Sequence, residues 1–449
     1  MRKSLLLLVL STWATFSLFA QEGENLDLEK AVLIGLEKNY GIKIAANNVV
    51  IAERDIKIGV GSFFMPVIDA NAVRTFSKED VEQTFVTNPE KPNKIDGAKS
   101  NTENYSIVGF YGFRPETIFT IQRLGKLAEI SELQAKVLVE NTVAAISSAY
   151  FRLVLESQRY NVLRTTLDLS QARLDIAKAR YELGGAGRSD FLTAQVDYNA
   201  DLSLLTNQEL VIKNAKININ ELLALPPTTN FVVNDSIVIE NHLGLEELLE
   251  NANTNNKQFL LTQRQENDAY LALRETQALR LPSVNLNGAY NNNTFKSDAG
   301  FLLQNQRQGF NYGATVSLNL FTGFTVNRRI QNARVQKLNA EYAVRDMEIL
   351  MNSDIQRAYN TYLTNKELLE IEYVNYKVAT ENADIALERF RLGISDYLQF
   401  RDAQLNLLTA ENRLLTAIFN IKEMEIELMR LSGRIFYQEG KENFQLTID

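Results

Sequence analysis

The chain has 449 residues, no cysteine, one histidine and a formal net charge of −8. This composition excludes disulfide bonds, thiol catalysis and a lipid anchor on a cysteine, and it leaves no His/Cys constellation for a metal. The acidic balance argues against a nucleic-acid partner. The sequence also lacks a nucleophile paired with a base and a phosphate-binding loop, so we predict neither an enzyme nor a cofactor.

The first residues have the pattern of an export signal. Arg2 and Lys3 form a short basic region, Leu5–Leu10 is apolar, and Ala20 precedes the expected cleavage point. We therefore expect residues 1–20 to be a signal peptide. No later run of about 18 apolar residues occurs, which predicts that no helix spans a bilayer. A membrane location would then require β-strands.

A first set of elements follows the signal. We predict, in order, a helix at about 27–60, a strand at about 64–77, a polar outward-facing loop at Lys78–Thr102, a strand at about 104–115 and a helical hairpin at about 117–224. Between Thr117 and Leu183 there is one glycine and no proline. This stretch predicts a helix of about 67 residues, which would be roughly 100 Å long.

The second part of the chain predicts the same elements again. They are a helix at about 243–280, strands at about 282–296 and 309–322, and a helical hairpin at about 325–432. A shift of about 209 residues pairs Arg180–Gly184 with Arg389–Gly393. We therefore place one structural repeat at residues 21–230 and a second at 231–433, followed by a tail at 434–449. A repeat of about 200 residues is far longer than a solenoid repeat and favours a pseudo-symmetric body.

The predicted shorter helices match the long ones in summed length. Two short helices stacked end to end could therefore flank each long helix in a coiled coil. Apolar residues recur every seven positions in the second half, at Phe400, Leu407, Leu414, Ile421 and Leu428. The equivalent line in the first half is Phe191, Tyr198, Leu205, Ile212 and Ile219, and its companion line is more polar, with Asp201 and Gln208. This pattern indicates packing and is silent about function.

The predicted strands alternate apolar with Asn, Ser and Thr side chains. In Ser283–Asn291, for example, Val284, Leu286 and Tyr290 alternate with asparagines. This alternation is typical of membrane barrel strands around a wet lumen, although an antiparallel sheet with one solvated face has the same pattern. Four strands cannot close a barrel and lipid does not tolerate an open edge, so a trimer with twelve strands is the simplest closed solution.

One motif occurs at the end of each long helix. It reads Tyr or Phe, two residues, Gly, a small polar residue, Asp and then Leu-x-Ala-Gln, and it covers Tyr181–Gln195 and Phe390–Gln404. With Leu320–Gly323 between strand and helix, the chain resembles the TolC-type outer-membrane efflux channels. The resemblance implies a mainly α fold with membrane β-strands: a trimer forming a twelve-stranded barrel continuous with a twelve-helix periplasmic tunnel.

The resemblance also implies that the two helical tips dock a periplasmic adaptor. Physical reasons fit the turn residues, because glycine suits the left-handed position that ends a helix and Ser-Asp pairs can cap the returning helices. The same residues could be turn and cap residues only. The predicted docking residues are Gly184, Gly187, Ser189, Asp190, Gly393, Ser395 and Asp396.

The family's gate is held by contacts between the tips, with an aspartate on the first opposite a Tyr and an Arg on the second. Asp190 matches that aspartate, whereas Phe390 and Ser395 stand at the Tyr and Arg positions. Other arginines are therefore candidates for the gate, which gives Arg188, Asp190, Arg389, Phe390, Arg391 and Arg401 as the set. The family places aspartates around its narrowest opening; Asp402 matches one of them, while the other position is Gln399 here. Asp402 could also be a solvated charge.

These features predict an outer-membrane exit channel of a tripartite efflux system. Its expected partners are two further copies of the chain, a periplasmic adaptor, an inner-membrane transporter reached through that adaptor, and outer-membrane lipid. A conduit of type I protein secretion has the same architecture and remains an alternative. A soluble periplasmic coiled-coil scaffold or adaptor is the alternative from another class, disfavoured by two hairpins and four amphipathic strands.

Overall fold

A computed structural model of the protein describes residues 24–86, 88–185, 187–233, 236–240, 243–392, 394–395 and 397–435. The predicted signal peptide at residues 1–20 and most of the predicted tail at 434–449 lie outside this range. Gly393 and Asp396 of the second predicted tip also lie outside it.

Seven elements occur in the same order twice. The first set is β1 (Glu24–Asn25), α1 (Leu28–Lys38), α2 (Tyr40–Phe64), β2 (Val67–Phe85), β3 (Asn88–Phe113), α3 (Glu116–Glu182) and α4 (Arg188–Leu222). The second set is β4 (Phe231–Val232), α5 (Leu245–Asn255), α6 (Lys257–Ala278), β5 (Ser283–Ser297), β6 (Gln304–Ser317), α7 (Thr325–Arg391) and α8 (Tyr397–Leu431). Both long helices have 67 residues and both returning helices have 35.

Contacts divide the chain into two compact units. The first comprises Met1–Ala45, Ala135–Lys257 and Glu348–Asp449, and the second comprises Ala46–Gln134 and Gln258–Met347. The long helices α3 and α7 each begin in the second unit and end in the first. The second unit contains the four long strands.

The first unit has a helical core. Ile146, Leu153 and Leu155 of α3 are almost completely buried against residues of α4 and α8, including Ile219 and Phe419. Of the predicted heptad positions of α8, Phe400, Ile421 and Leu428 are buried, and Leu407 and Leu414 are half-buried; Ala403 and Ala410 are buried as well. The seven-residue spacing keeps these side chains on one helix face, which explains why a helix of 35 residues remains packed along its length.

An asparagine separates the two short helices at the start of each half. Asn39 lies between α1 and α2, and its side-chain oxygen accepts from the backbone N–H of Gly41 at 2.8 Å. Its Nδ2 donates to the carbonyl oxygen of Leu222, the last residue of α4, at 3.1 Å. Asn256 lies between α5 and α6, and its Nδ2 donates to the carbonyl oxygen of Leu431, the last residue of α8, at 2.8 Å. Each asparagine thus satisfies a carbonyl that a helix C-terminus leaves without an intrahelical partner.

The returning helices end in equivalent turns with one chemical difference. After α8, Gly433 has φ +69°, and the N–H of Arg434 donates to Met429 at 2.8 Å. After α4, Ala224 has φ +52°, and the N–H of Leu225 donates to Asn220 at 2.8 Å. Both are Schellman-type ends, which favour glycine at the left-handed position. The first half therefore carries a strained alanine where the second has a glycine.

The four long strands form one antiparallel sheet in the order β2-β3-β5-β6. The predicted loop at Lys78–Thr102 is wrong for most of its length, because β2 continues to Phe85 and β3 begins at Asn88. The two strands pair in nearly continuous register, so the polar segment forms a long ribbon. Because most of its side chains are polar, the sequence of this segment lacks the alternation of apolar and polar residues that indicates a strand. Pro89 and Pro92 are accommodated where β3 pairs with β2 alone.

The last predicted strand is displaced in the structure. We predicted it at about 309–322, whereas β6 spans Gln304–Ser317. The register explains the end of β6, because Ser317 pairs with Ser283, the first residue of β5, and β5 offers no partner to later residues.

One part of α3 passes a composition test for a membrane span. Within the described residues, a window of this helix is long and apolar enough to cross a bilayer, and half of that window is buried inside the protein. The core helix of a protein in water passes the same test, and α3 supplies the core residues Ile146 and Leu153. We therefore assign this window to the helical core.

Substitutions of Ala224, after α4, and Gly433, after α8, test whether the left-handed alanine is strained. We expect Ala224→Gly to stabilise the protein by about 0.5–1 kcal/mol. Glycine relieves the strain of the left-handed backbone, and this gain exceeds the entropic cost of fixing a glycine on folding. We expect Gly433→Ala to destabilise it by more than about 1 kcal/mol, since an added Cβ would also lie 2.6 Å from the carbonyl oxygen of Asn255. Thermal unfolding of both variants checks the signs, and equal shifts would contradict the account.

Candidate functional site: a two-faced sheet and the helical tips

The sheet has one apolar face. Directly opposite residues of antiparallel strands lie on the same face, as do alternate residues of one strand. Val284 pairs with Val316, Leu286 with Ala314, and Tyr290 with Phe310. The neighbouring strands continue this face with Phe113, Tyr111, Ile107, Tyr105, Ala72, Ala70 and Ile68. Many of these side chains are exposed, with Phe310 at 82% and Tyr312 at 91%.

The apolar face is close in height to the apolar band of a membrane barrel. From Phe113 to Tyr105, eight residue steps along β3 correspond to about 27 Å, or about 21 Å of height at a strand tilt of about 40°. Barrels of outer membranes have an apolar band about 25 Å tall with aromatic residues at both ends. Phe113 and Tyr105 are the aromatic residues at the two ends of this band.

The opposite face is richer in polar residues, although Val73, Val108, Phe110 and Phe295 also lie on it. It carries asparagine, serine and threonine on all four strands, including Asn71, Thr75, Asn104, Ser106, Asn285, Asn287, Asn291 and Thr315. An ordinary antiparallel sheet could have such a solvated face, but its other face would then be covered by a core. Here no residue named on either face is buried within the chain, which favours lipid on one side and water on the other.

Both edges of this sheet are open. β2 and β6 are the first and last strands of the order, and neither pairs with a further strand among the described residues. An exposed strand edge has unpaired N–H and C=O groups, and these are not tolerated in lipid. The sheet therefore requires strands from other copies of the chain if it lies in a membrane.

The first helical tip follows α3. Gly184 has φ +75°, its N–H donates to Tyr181 at 3.0 Å, and the N–H of Gly185 donates to Arg180 at 2.8 Å. This Schellman end explains the glycine. The predicted capping role of Ser189 and Asp190 is wrong: the N-cap of α4 is Gly187, without a side-chain cap, and both residues lie within the first turn.

Most of the predicted first-tip residues are exposed. Gly184, Gly187, Arg188, Ser189 and Asp190 all face solvent. The carboxylate of Asp190 lies in the first turn of α4, where the helix dipole favours negative charge.

The second tip follows α7 and is described in part. The N–H of Ile394 donates to the carbonyl of Arg389 at 2.9 Å, and the N–H of Ser395 approaches the same oxygen at 3.3 Å. The hydroxyl of Ser395 is buried and has no hydrogen-bond partner among the described residues. Arg391 pairs locally with Glu388 at 2.8 Å, and both side chains are exposed. Arg391 therefore has its ion pair within its own helix.

Each tip is closed by a stacked pair of aromatic rings. Tyr181 stacks on Phe191, with centroids 5.9 Å apart and 7° between the planes. Phe390 stacks on Phe400, at 5.5 Å and 11°. A shift of 209 residues converts the first pair into the second. The guanidinium of Arg180 also lies 5.3 Å from the centre of the Phe390 ring, so an arginine of one hairpin contacts the aromatic residue of the other.

A buried charged cluster connects the two hairpins behind these turns. Arg401 of α8 donates to both carboxylate oxygens of Asp201 of α4, at 2.8 and 2.9 Å, and Asp201 is 1% exposed. The hydroxyl of Ser170 of α3 also donates to Asp201. Burial acts to lower the pKa of Arg401, but the hydrogen bond and the charges of Asp201 and Asp197 outweigh it, so the pKa is raised.

Arg173 is the second arginine of this cluster. It donates to Asp197 at 3.2 Å and lies 4.8 Å over the ring of Tyr397. Burial and the nearby charge of Arg401 lower the pKa of Arg173, against the attraction of the two aspartates. Gln404 contacts both arginines and donates to the carbonyl of Thr166 at 3.2 Å. Two arginines thus share two aspartates in a mostly buried site.

The predicted aperture residues lie beside this cluster in sequence but differ from Arg401 in exposure. Asp402 and Gln399 are both exposed, and Asp402 accepts from Asn406 of the next helical turn at 3.3 Å. Adjacent positions of α8 therefore carry a buried arginine and an exposed aspartate.

Among the gate candidates, Arg401 and Phe390 contact residues of the first hairpin. The sequence prediction missed Arg173, Asp197, Asp201, Ser170 and Gln404 as a cluster. A signal was present, since Asp201 interrupts a heptad line whose equivalent position in the second half, 209 residues later, is the buried Ala410. A charged residue at a coiled-coil seam requires a partner of opposite charge, but the heptad pattern of the sequence did not identify that partner.

Solved outer-membrane channels have the same fold. The outer-membrane channel OprN is 18% identical, with a TM-score of 0.75 over 90% of this chain and 89% of that chain. The CmeC outer-membrane channel of Campylobacter jejuni is 16% identical, with a TM-score of 0.77 over 92% and 87%. The MtrE outer-membrane channel of Neisseria gonorrhoeae, solved in its open state, is 17% identical, with a TM-score of 0.71 over 91% and 89%. The fold of the chain is that of outer-membrane channels, which confirms the predicted mainly α fold with β-strands.

A sequence model of the outer membrane efflux protein family matches residues 248–434. This match covers less than half of the chain, and it confirms the predicted resemblance. No curated protein sequence matches the chain. The family and the fold agree with the predicted outer-membrane location and with a channel rather than an enzyme.

Removing one carboxylate tests the charged cluster. We expect Asp201→Asn to destabilise the protein by about 3 kcal/mol, because it leaves two buried guanidinium groups with one remaining aspartate. The exposed Asp402→Asn serves as a control and should change the free energy of unfolding by less than about 0.5 kcal/mol. Thermal or denaturant unfolding measures both. Similar values for the two variants would show that the cluster does not hold the hairpins together.

Proposed function

We propose that the protein is an outer-membrane exit channel of a tripartite efflux system, which conducts drugs or metabolites passively to the exterior. The observation that carries this proposal is the four-stranded sheet, apolar on one face, polar on the other and open at both edges. Three copies would supply twelve strands, pair every edge and enclose the polar face. The long helices would continue this barrel as a periplasmic tunnel.

Energy would come from an inner-membrane transporter reached through a periplasmic adaptor. The absence of a catalytic constellation in the sequence supports a passive conduit. The adaptor would dock on the two helical tips, where Gly184, Gly187, Ser189 and Asp190 form an exposed turn. Gly393, Ser395 and Asp396 are the corresponding proposed residues of the second tip.

The buried charged cluster is a candidate for the closure of the tips. Arg401 joins α8 to α4 through Asp201, while Arg173 and Gln404 join α3 to the same group. Opening by separation of the hairpins would have to expose these charges to water, which favours a discrete change over a gradual one. Arg188, Asp190, Arg389 and Arg391, which are exposed or paired locally, are weaker candidates for a lock within one chain.

Asp402 is proposed to line the aperture together with Gln399. Three copies of an exposed aspartate around an axis would attract cations. We expect Asp402→Asn to lower the cation-to-anion permeability ratio by at least about twofold and to weaken block by polyvalent cations. The measurement is the reversal potential of the reconstituted channel across a salt gradient.

Asp384→Asn is the matched control for the aperture, because Asp384 is an exposed aspartate of α7 in the same hairpin. It should leave the reversal potential unchanged. A reversal potential that does not change in Asp402→Asn would remove this residue from the aperture without affecting the channel proposal itself.

The channel proposal is tested by the native mass of the mature protein extracted in detergent from separated outer membranes. A mass near three times that of the chain, together with conductance in planar bilayers, is the expected result. A monomer released from cells without detergent would contradict the shared barrel and favour a periplasmic scaffold.

A further inference from the structure

Beyond the apolar band, the same face of the sheet becomes cationic at the end remote from the helices. The register places Arg74 opposite Glu103, Asn101 opposite both Phe76 and Lys296, and Lys78 opposite Lys99. These positions continue the apolar face past Tyr105, because each lies an even number of residues along its strand. We refer to Arg74, Lys78, Lys99 and Lys296 as the cationic collar.

The collar is confined to one face. At the same level, the opposite face has Ser77, Ser100 and Ser297 in register, and the hydroxyls of Ser77 and Ser100 are 2.7 Å apart. The basic side chains therefore do not belong to the polar interior expected of a channel. They lie on the continuation of the face that is proposed to contact lipid.

The protein neutralises the collar only in part. Glu103 pairs with Arg74 at 3.1 Å, and Asp298, which follows β5, lies opposite Lys99 and donates its backbone N–H to the carbonyl oxygen of Lys99 at 3.0 Å. Lys78, Lys99 and Lys296 are exposed and form no ion pair among the described residues. Lys78 and Lys99 lie directly opposite each other, and like charges at such positions destabilise a sheet. An anion outside the protein would relieve this repulsion.

The height of the collar indicates which anion. With 3.4 Å per residue and a strand tilt of about 40°, Lys99, six residues from Tyr105 on β3, lies about 15 Å above it. Phospholipid head groups extend only about 5–8 Å beyond the hydrocarbon. A head group that reaches the lysines must be taller and must carry negative charge at more than one level.

We propose that the collar binds the phosphate-bearing sugar head group of an outer-leaflet glycolipid. Arg74 stacks over Phe76, with 4.6 Å from guanidinium to ring centre, and stays paired with Glu103, so it marks the lower boundary of the site. Lys78, Lys99 and Lys296 on three adjacent strands supply the charge for the phosphates. The proposal rests on the outer-membrane placement proposed above.

The test compares three lipids on the purified full-length protein in detergent. They are a glycolipid with a phosphorylated sugar head group, its dephosphorylated form and an anionic phospholipid, with binding counted by native mass spectrometry. We expect the wild type to bind the phosphorylated glycolipid at least about tenfold more tightly than the other two. Inorganic phosphate should not displace it. Equal affinity for the phosphorylated and dephosphorylated glycolipids, or displacement by inorganic phosphate, would overturn the proposal.

A matched pair of variants locates the binding. Lys78→Gln with Lys99→Gln should weaken glycolipid binding about tenfold, because two facing charges are lost. Lys91→Gln with Lys94→Gln removes the same charge farther along β3 and should leave binding unchanged. Equal losses of glycolipid affinity in both double variants would show that binding depends on net charge and not on these positions. That result would overturn the proposed site.

The two proposals fail in different ways. If the collar variants and the wild type are trimers with equal conductance but bind the glycolipid alike, the collar proposal falls and the channel proposal stands. If the wild type is neither trimeric nor found in outer membranes, the channel proposal falls and the collar proposal falls with it.

Discussion

Unpaired backbone groups at the two edges of the sheet are the constraint on which the rest of this structure depends. β2 and β6 each have a free edge, and the sheet between them is apolar on the face that would meet lipid. In water such edges invite uncontrolled pairing, and in lipid they are not tolerated. The proposed trimer would pair both edges with strands of other copies.

The two halves of the chain share most of their structural features, and the buried charged cluster is a feature in which they differ. The equivalent asparagines, the stacked aromatic pairs and the bounds of the long helices repeat closely between the halves. The buried cluster does not repeat, because Asp201 corresponds to Ala410 and Arg401 to Leu192. A buried ion pair adds little net stability compared with apolar packing, but it strongly penalises any arrangement that separates the partners. Such a group suits a contact that must be either made or broken.

The sheet shows the same logic in its charges. On the apolar face, the basic residues of the collar lie farther along the strands from the helices than the apolar band does. Lysines opposite each other would be poor choices in an ordinary solvated sheet. Beside a membrane of anionic head groups the same arrangement is favourable, because the attraction of the surface outweighs a repulsion that the head groups screen.

The sequence by itself determined the elements whose residues act locally. The long helices follow from stretches without glycine and proline, the tips from glycines and the strands from alternation, since helix propensity, turn geometry and side-chain period need no distant partner. Tertiary structure decided what depends on pairing. It extended β2 and β3 through Lys78–Thr102, ended β6 at Ser317 opposite the first residue of β5, and moved the N-cap of α4 to Gly187. It also determined that Asp201 is the partner of Arg401. A buried charge pairs with a carboxylate that is near in space, and residues 200 positions apart come together only when both hairpins have folded.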